Sequence, residues 1–241
     1  MQIISYDKTF EGFLSAVFDI YEYKLKDVKF SNGDTSLFGD VHSVVTDEHK
    51  STRVWNGITK RVPVPAATQL YHSFLSEQDG IEDLLFRYIR YAFESEKPIN
   101  QNYSHEAVLS VSQIAKKVHR EKHRMEAFVR FKLTKDKLYY AVVEPDFNVL
   151  PLIINHFRKR YADQCWMIYD VKRKYGIHYD LKTVTNVTVD LNEGVDDEDE
   201  PFFQELWKNY FRSVNIPSRK NMKLHIRHMP LRYWKFLIEK H

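Results

Sequence analysis

Phe128-Val129-Arg130-Phe131-Lys132-Leu133 and Leu138-Tyr139-Tyr140-Ala141-Val142-Val143-Glu144, separated by the polar run 134–137, decide the fold class. Both segments are rich in aromatic and branched side chains and alternate across a pleat, so they read as a β-hairpin. Residues 149–161 then show helical spacing. Pro151 falls in the first turn, where a backbone N–H has no intrahelical partner to lose. Strand-like runs at 166–171 and 177–189 come next, divided by turn residues near Tyr175-Gly176. Strands, helix and strands in this order predict an α+β fold, with a mixed or mainly antiparallel sheet flanked by helices.

Upstream, residues 111–125 repeat apolar positions at Ile114, Ala115, Val118 and Met125, and 81–93 do so at Leu84, Leu85, Tyr88, Ile89 and Ala92. Both are amphipathic helices. At the start, Gln2–Ser5 is a short strand. Residues 9–24 form a helix capped by Thr9, with Glu11 in its first turn. Asn32-Gly33 marks a turn and 37–45 contains a strand. Pro63 and Pro65 break the chain beyond that strand. Downstream, 202–211 and 218–227 are predicted helices, and Pro230 opens a last short helix through Glu239, giving a helical C-terminal region. A single α+β domain over 1–241 is expected, with a weak subdomain boundary near 97–104.

The chain of 241 residues carries 36 Lys and Arg against 33 Asp and Glu. Seven of those acids lie in 190–200 without a base, so the remaining residues hold 36 bases against 26 acids. The body is therefore basic, which favours anionic partners. The acidic strip reads as a solvated loop, or else as a phosphate mimic folded over the basic surface or a partner contact. Residues 205–241 hold nine Lys and Arg, two acids and six large aromatics (Trp207, Tyr210, Phe211, Tyr233, Trp234, Phe236). Such a mixture suits phosphate neutralisation and base stacking, or the packing of a helix on a core.

The lone Cys165 excludes an intramolecular disulfide and a cysteine-based zinc site. There is no Gly-x-Gly phosphate loop, no Gly-x-Ser-x-Gly elbow and no cysteine cluster for an iron–sulfur centre. The opening residues lack a basic segment leading into a long apolar one, and no stretch is long and apolar enough for a membrane helix. A cytoplasmic protein that does not engage a membrane is expected.

Two polar constellations stand out. In His119-Arg120-Glu121-Lys122-His123-Arg124, the histidines fall one helical turn apart, as do Arg120 and Arg124. His119 and His123 with His156 could ligate a divalent metal near Glu144 or Asp170. Against that stand a basic helix face with one core histidine, and phosphate contact by the two guanidinium forks. The second group is Arg130, Glu144, Asp146, His156, Arg160, Asp170 and Arg173. It reads either as acid–base or metal chemistry or as ion pairs tying helices to the sheet. The catalytic candidates are thus His119, His123, Glu144, His156 and Asp170. No cofactor is predicted, and a divalent metal is the alternative. The nucleic-acid candidates are Arg120, Arg124, Arg130, Arg160, Arg173, Arg219, Lys220, Arg232, Tyr233, Trp234 and Lys235.

Several blocks resemble a bacterial family labelled probable DNA metabolism or DNA repair proteins, a domain of unknown function (4130). They are residues 119–125 with 128–131, Tyr139-Tyr140-Ala141 to Glu144-Pro145-Asp146, Leu150-Pro151-Leu152 to Tyr175-Gly176, and Trp207 to Lys235 with its His228-Met229-Pro230-Leu231-Arg232-Tyr233-Trp234 core. Tyr6-Asp7, Phe10-Glu11-Gly12-Phe13 and Arg53-Val54-Trp55 are similar to its opening part. The resemblance implies a role in DNA repair or modification beside a radical-SAM partner, because members are encoded next to such a protein and some are fused to a uracil-DNA glycosylase. It supplies no catalytic residues. The expectation is a DNA-binding accessory protein, with a metal-dependent enzyme acting on DNA or a protein–protein adaptor as alternatives.

Overall fold

A computed structural model of the chain describes residues 2–31, 40–134, 137–188 and 229–237. The fold is α+β. It divides into two compact units, Met1–His119 and Arg120–His241. The division falls within a helix, downstream of the polar stretch 97–104.

The first unit begins with β1 (Gln2–Ser5), α1 (Phe10–Glu22), β2 (Val28–Phe30) and β3 (Asp40–Ser43). β1 is central and pairs in parallel with both neighbours, in the order β2-β1-β3. α1 provides the crossover that a parallel β1–β2 pair requires. Thr9 caps it, its hydroxyl accepting from the Gly12 amide at 2.9 Å. Gly12 is needed for another reason: a Cβ there would stand 2.1 Å from Asp7 Oδ1 and 2.7 Å from Thr46 Oγ1. The Asp7 carboxylate is bound at 2.6 Å by Thr9 Oγ1 and at 2.7 Å by Thr46 Oγ1. Partial burial works against its charge, but these hydrogen bonds outweigh it and hold the carboxyl below its usual range.

Three further helices complete the unit: α2 (Glu48–Arg61), α3 (Val64–Phe74) and α4 (Ile81–Glu94). The expectation of a mere break at Pro63 and Pro65 understates this region. The prolines sit at the start of α3, where a missing N–H costs nothing, and separate two helices. α2 buries only Ser51, Val54 and Ile58, so its apolar stripe is thin. The core gathers Phe13, Val17, Ile58, Leu70, Leu85, Ile89 and Val111, with Phe10 set edge-on to Trp55, Tyr71 and Phe74. The predicted turn at Asn32-Gly33 lies outside the described residues.

α5 (Glu106–Phe128) is longer at both ends than the predicted 111–125 and crosses from one unit to the next. The second unit then holds β4 (Lys132–Leu133), β5 (Tyr139–Val143), α6 (Leu150–Arg160), β6 (Trp166–Asp170), β7 (Tyr175–Tyr179) and β8 (Val184–Val187). β4 and β5 form the expected hairpin. β5 and β6 run parallel through α6, and β6, β7 and β8 are antiparallel, giving the mixed order β4-β5-β6-β7-β8. Every residue of β6 is buried, as a central strand covered on both faces must be.

The turn expected near Tyr175-Gly176 is a correction. Both residues belong to β7, and the reversal lies between Asp170 and Tyr175, with Lys174 at φ 56°. Asp170 shapes it by accepting from the amides of Lys172 and Arg173. Gly176 is there for close approach, since a Cβ would meet the Ile168 carbonyl at 2.9 Å. The run 177–189 accordingly splits into two strands. After Pro230 the chain forms a 3₁₀ helix, Leu231–Phe236. The predicted helices 202–211 and 218–227 and the acidic strip lie outside the described residues. No helix among the described residues is long and apolar enough to cross a membrane.

Candidate nucleic-acid interface

The candidate interface belongs to the second unit. Its part of α5 turns Met125 inward and, one turn earlier, Glu121, whose side chain is 2% exposed. A carboxylate so placed must be paired or strongly hydrogen-bonded. Four groups supply this. Tyr233 donates its hydroxyl to Glu121 Oε1 at 2.5 Å, and the Asp146 amide donates to the same oxygen at 2.9 Å. Arg232 Nη2 reaches Oε2 at 2.8 Å, and Arg124 Nη1 lies 3.6 Å from it. The other Arg232 nitrogen binds Asp146 Oδ2 at 2.6 Å. Burial, with the Glu121 carboxylate beside it, pushes the Tyr233 phenol well above the usual tyrosine range. Burial opposes the charge of Arg232, but its bond to Tyr233 and the facing carboxylates outweigh this and raise it.

The 3₁₀ helix is thus tied down by charge as well as by packing. Tyr233 is 2% exposed and its ring meets Phe128 at 6.0 Å. It takes the core-packing alternative, so its face is not presented for base stacking. Trp234 is half-buried and donates to the Met229 carbonyl at 3.0 Å. Lys235 pairs with Glu144. Arg173, 9% exposed, binds Asp170 at 2.8 Å and the carbonyls of Pro145 and Asp146, while Asp170 is fully buried. Arg173 and Asp170 therefore form the ion pair that ties the β6–β7 turn to the loop after β5. Arg130 donates to the Ala127 and Val129 carbonyls and closes the end of α5.

The histidines do not converge as a metal set would. His123 is 81% exposed, with Nδ1 3.9 Å from Glu126. His156 Nδ1 is 3.8 Å from the other oxygen of Glu126, which also pairs with Lys122 at 2.8 Å. In the first unit, His119 stacks on His72 at 6.3 Å. Among the described residues no group of three or more His, Cys, Asp or Glu side chains could hold a metal ion. Arg219 and Lys220 lie outside the described residues.

Among the described residues of this unit, exposed charge has one dominant sign. Arg120, Lys137, Arg158, Lys159, Arg160, Lys172, Lys174, Lys182, Arg232 and Lys235 are exposed, against Asp146, Asp163 and Asp180 alone among the described acids. Acids have gone inward, as at Glu121 and Asp170, and bases outward. Arg120, Arg158 and Lys159 have no ion pair among the described residues. Arg160 lies over the Tyr161 ring at 5.8 Å. Arg158 and Lys159 are not among the sequence-based candidates, although three consecutive bases closing a helix are a visible signal. Glu121 is not among them either.

A family model described as a domain of unknown function, DUF4130, matches residues 79–239. The chain belongs to that family. The matched range contains every candidate residue named above, so the DUF4130 region includes the Glu121 knot and the basic surface alike. No curated protein matches the chain. One similar solved structure is a pGpG-specific phosphodiesterase, PggH from Vibrio cholerae, at 8% identity and a TM-score of 0.39, covering 89% of this chain and 99% of that one. A likeness of that size carries no weight for fold or activity.

Proposed function

We propose that the second unit of this DUF4130 protein binds nucleic acid through its phosphates and serves as a DNA-binding accessory component of a repair or modification system. One observation carries the reading: among the described residues of this unit, exposed Lys and Arg outnumber exposed Asp and Glu by ten to three, and the other described acids are drawn inward or into pairs. Such a surface attracts a polyanion and steers its approach. Arg120, Arg158, Lys159 and Arg160 are the phosphate contacts, and Arg124, half-exposed beside Glu121, is a further one. Arg232 and Lys235 act indirectly, by holding the 3₁₀ helix in place. Tyr161 lies under the Arg160 guanidinium and offers a ring beside these bases. The radical-SAM partner implied by the family resemblance would supply the chemistry.

Binding to single-stranded, duplex and uracil-containing DNA across a salt titration tests this. The expected result is steeply salt-dependent binding, with Arg120→Ala and Arg160→Ala each lowering the slope of log K against log salt by about 1. Absence of binding at low salt overturns the reading and assigns the basic surface to a protein partner.

A further inference from the structure

The two edges of the five-stranded sheet are built differently. β4 is two residues long and begins with Lys132, a short charged edge of the kind that discourages pairing with another chain. β8 carries no such protection in its own sequence. Thr183-Val184-Thr185-Asn186-Val187-Thr188 contains no charge, no proline and no glycine, and its threonines and valines are strong strand formers.

The register shows which backbone groups this edge offers. The Asp180 amide donates to the Thr183 carbonyl at 3.2 Å, so these two residues form a hydrogen-bonded pair at the hairpin turn. In an antiparallel ladder bonded and non-bonded pairs alternate. Tyr179 faces Val184 and Ile177 faces Asn186 as non-bonded pairs, while His178 faces Thr185 and Gly176 faces Val187 as bonded ones. Val184 and Asn186 therefore turn both N–H and C=O away from β7, and Thr188 continues the alternation. Among the described residues nothing pairs with these outward groups, and β8 is the terminal strand.

We propose that β8 is a self-pairing edge, on which a second copy of this chain adds its own β8 in antiparallel orientation to form a twofold dimer. The outward residues meet the symmetry requirement. With the dyad at Asn186, this residue faces its own copy as a bonded pair, and Val184 faces Thr188 in the same way. Thr185 then stands opposite Val187 in the intervening non-bonded pair. Each bonded pair exchanges both backbone hydrogen bonds, and a twofold pairing uses the same patch from both copies. No charge falls between facing residues, so nothing in the strand itself opposes a second copy. An extended segment of a different protein would require no such self-complementarity.

Self-association and phosphate binding respond oppositely to salt. Raised salt weakens nucleic-acid binding, whereas it screens repulsion between two basic units and favours the dimer. The test is the mass of the full chain, freed of nucleic acid, by light scattering on a size-exclusion column over a dilution series. A rise from 28.9 kDa toward twice that value with concentration is expected, with a larger dimer share at higher salt. Asn186→Pro removes only an outward N–H and leaves the ladder to β7 intact, a place where an edge strand accepts proline. Asn186→Lys sets two ammonium groups against each other across the dyad. Both variants are expected to be monomeric, with a melting temperature close to that of the parent. If the proline variant fails to fold, the lysine variant alone decides. A parent that is monomeric at every concentration overturns the proposal, whether or not an extended peptide binds. So do variants that dimerise as the parent does.

Discussion

Glu121 ties α5 to the 3₁₀ helix and to the loop after β5. It is a buried carboxylate whose hydrogen-bonding capacity is taken up by Tyr233, Arg232 and the Asp146 amide. Removing it leaves the phenol without its acceptor and the arginine with Asp146 as its remaining carboxylate. Glu121→Ala is predicted to destabilise by about 1–3 kcal/mol, the cost of leaving the buried Tyr233 hydroxyl and the Asp146 amide without an acceptor. Tyr233→Phe keeps the ring and loses one hydrogen bond, at about 1–3 kcal/mol. Urea unfolding monitored by tryptophan fluorescence measures both. The pH dependence comes from the raised phenol. Tyr233 stabilises the fold fully below the ordinary tyrosine range, and this is lost as the pH rises through the higher folded value. Tyr233→Phe should therefore lose part of the alkaline limb of the stability–pH curve and none of the acid limb. The signal for Glu121 is present in the sequence, since it lies three residues after Val118 and four before Met125, on the inward stripe. Its neighbours Arg120 and Lys122 make it look like one more surface charge.

Among the elements, α1 and the loop before it show how a small residue fixes a local arrangement. Gly12 admits the Asp7 carboxylate beneath the first turn of α1, where Thr9 and Thr46 bind it. Gly12→Ala forces those groups apart and is predicted to cost about 1–3 kcal/mol, as overpacking does, read as a lowered urea midpoint. Asp7, with its carboxyl held low, contributes stability that is full above the unfolded value near 3.8 and is lost as the pH falls through the lower folded value. Asp7→Asn should flatten the acid limb of the stability–pH curve. If that limb stays as steep as the parent's, the two threonines do not hold the charge. The helices most easily read from the chain are those with broad apolar stripes, such as α1 and α4. α2 escapes notice because three small or branched residues make up its buried face. The β6–β7 turn is misplaced by one glycine, which reads as a turn residue when its missing side chain serves a close contact between strands.

At the scale of the whole molecule, charge is sorted by depth in the described part of the second unit, whereas the first unit keeps acids such as Glu11, Asp27, Glu48 and Glu94 exposed beside its bases. Two arginines that look alike in the sequence separate accordingly. Arg120→Ala should weaken DNA binding and lower its salt slope by about 1 while leaving the melting temperature unchanged. Arg173→Ala should do the reverse, because its guanidinium is buried against Asp170 and two carbonyls. Equal loss of affinity in two equally stable variants would refute that division. The α+β class, the β4–β5 hairpin, α6 with its proline in the first turn, the basic excess and the family resemblance can all be read from the chain, because they depend on spacing and composition within a few residues. The sequence also supplies every candidate base except Arg158 and Lys159. What it does not supply is partnership. Tyr233 inward and Arg120 outward, His123 turned to Glu126, and Lys235 on Glu144 are contacts set by packing, most of them between residues brought together from separate elements. The same is true of β5 lying parallel to β6 and of β8 ending the sheet. Local pattern specifies which face of an element is apolar, but only packing decides which charged side chain is desolvated against which partner. That choice separates the residues that hold this fold from those left exposed to meet a phosphate.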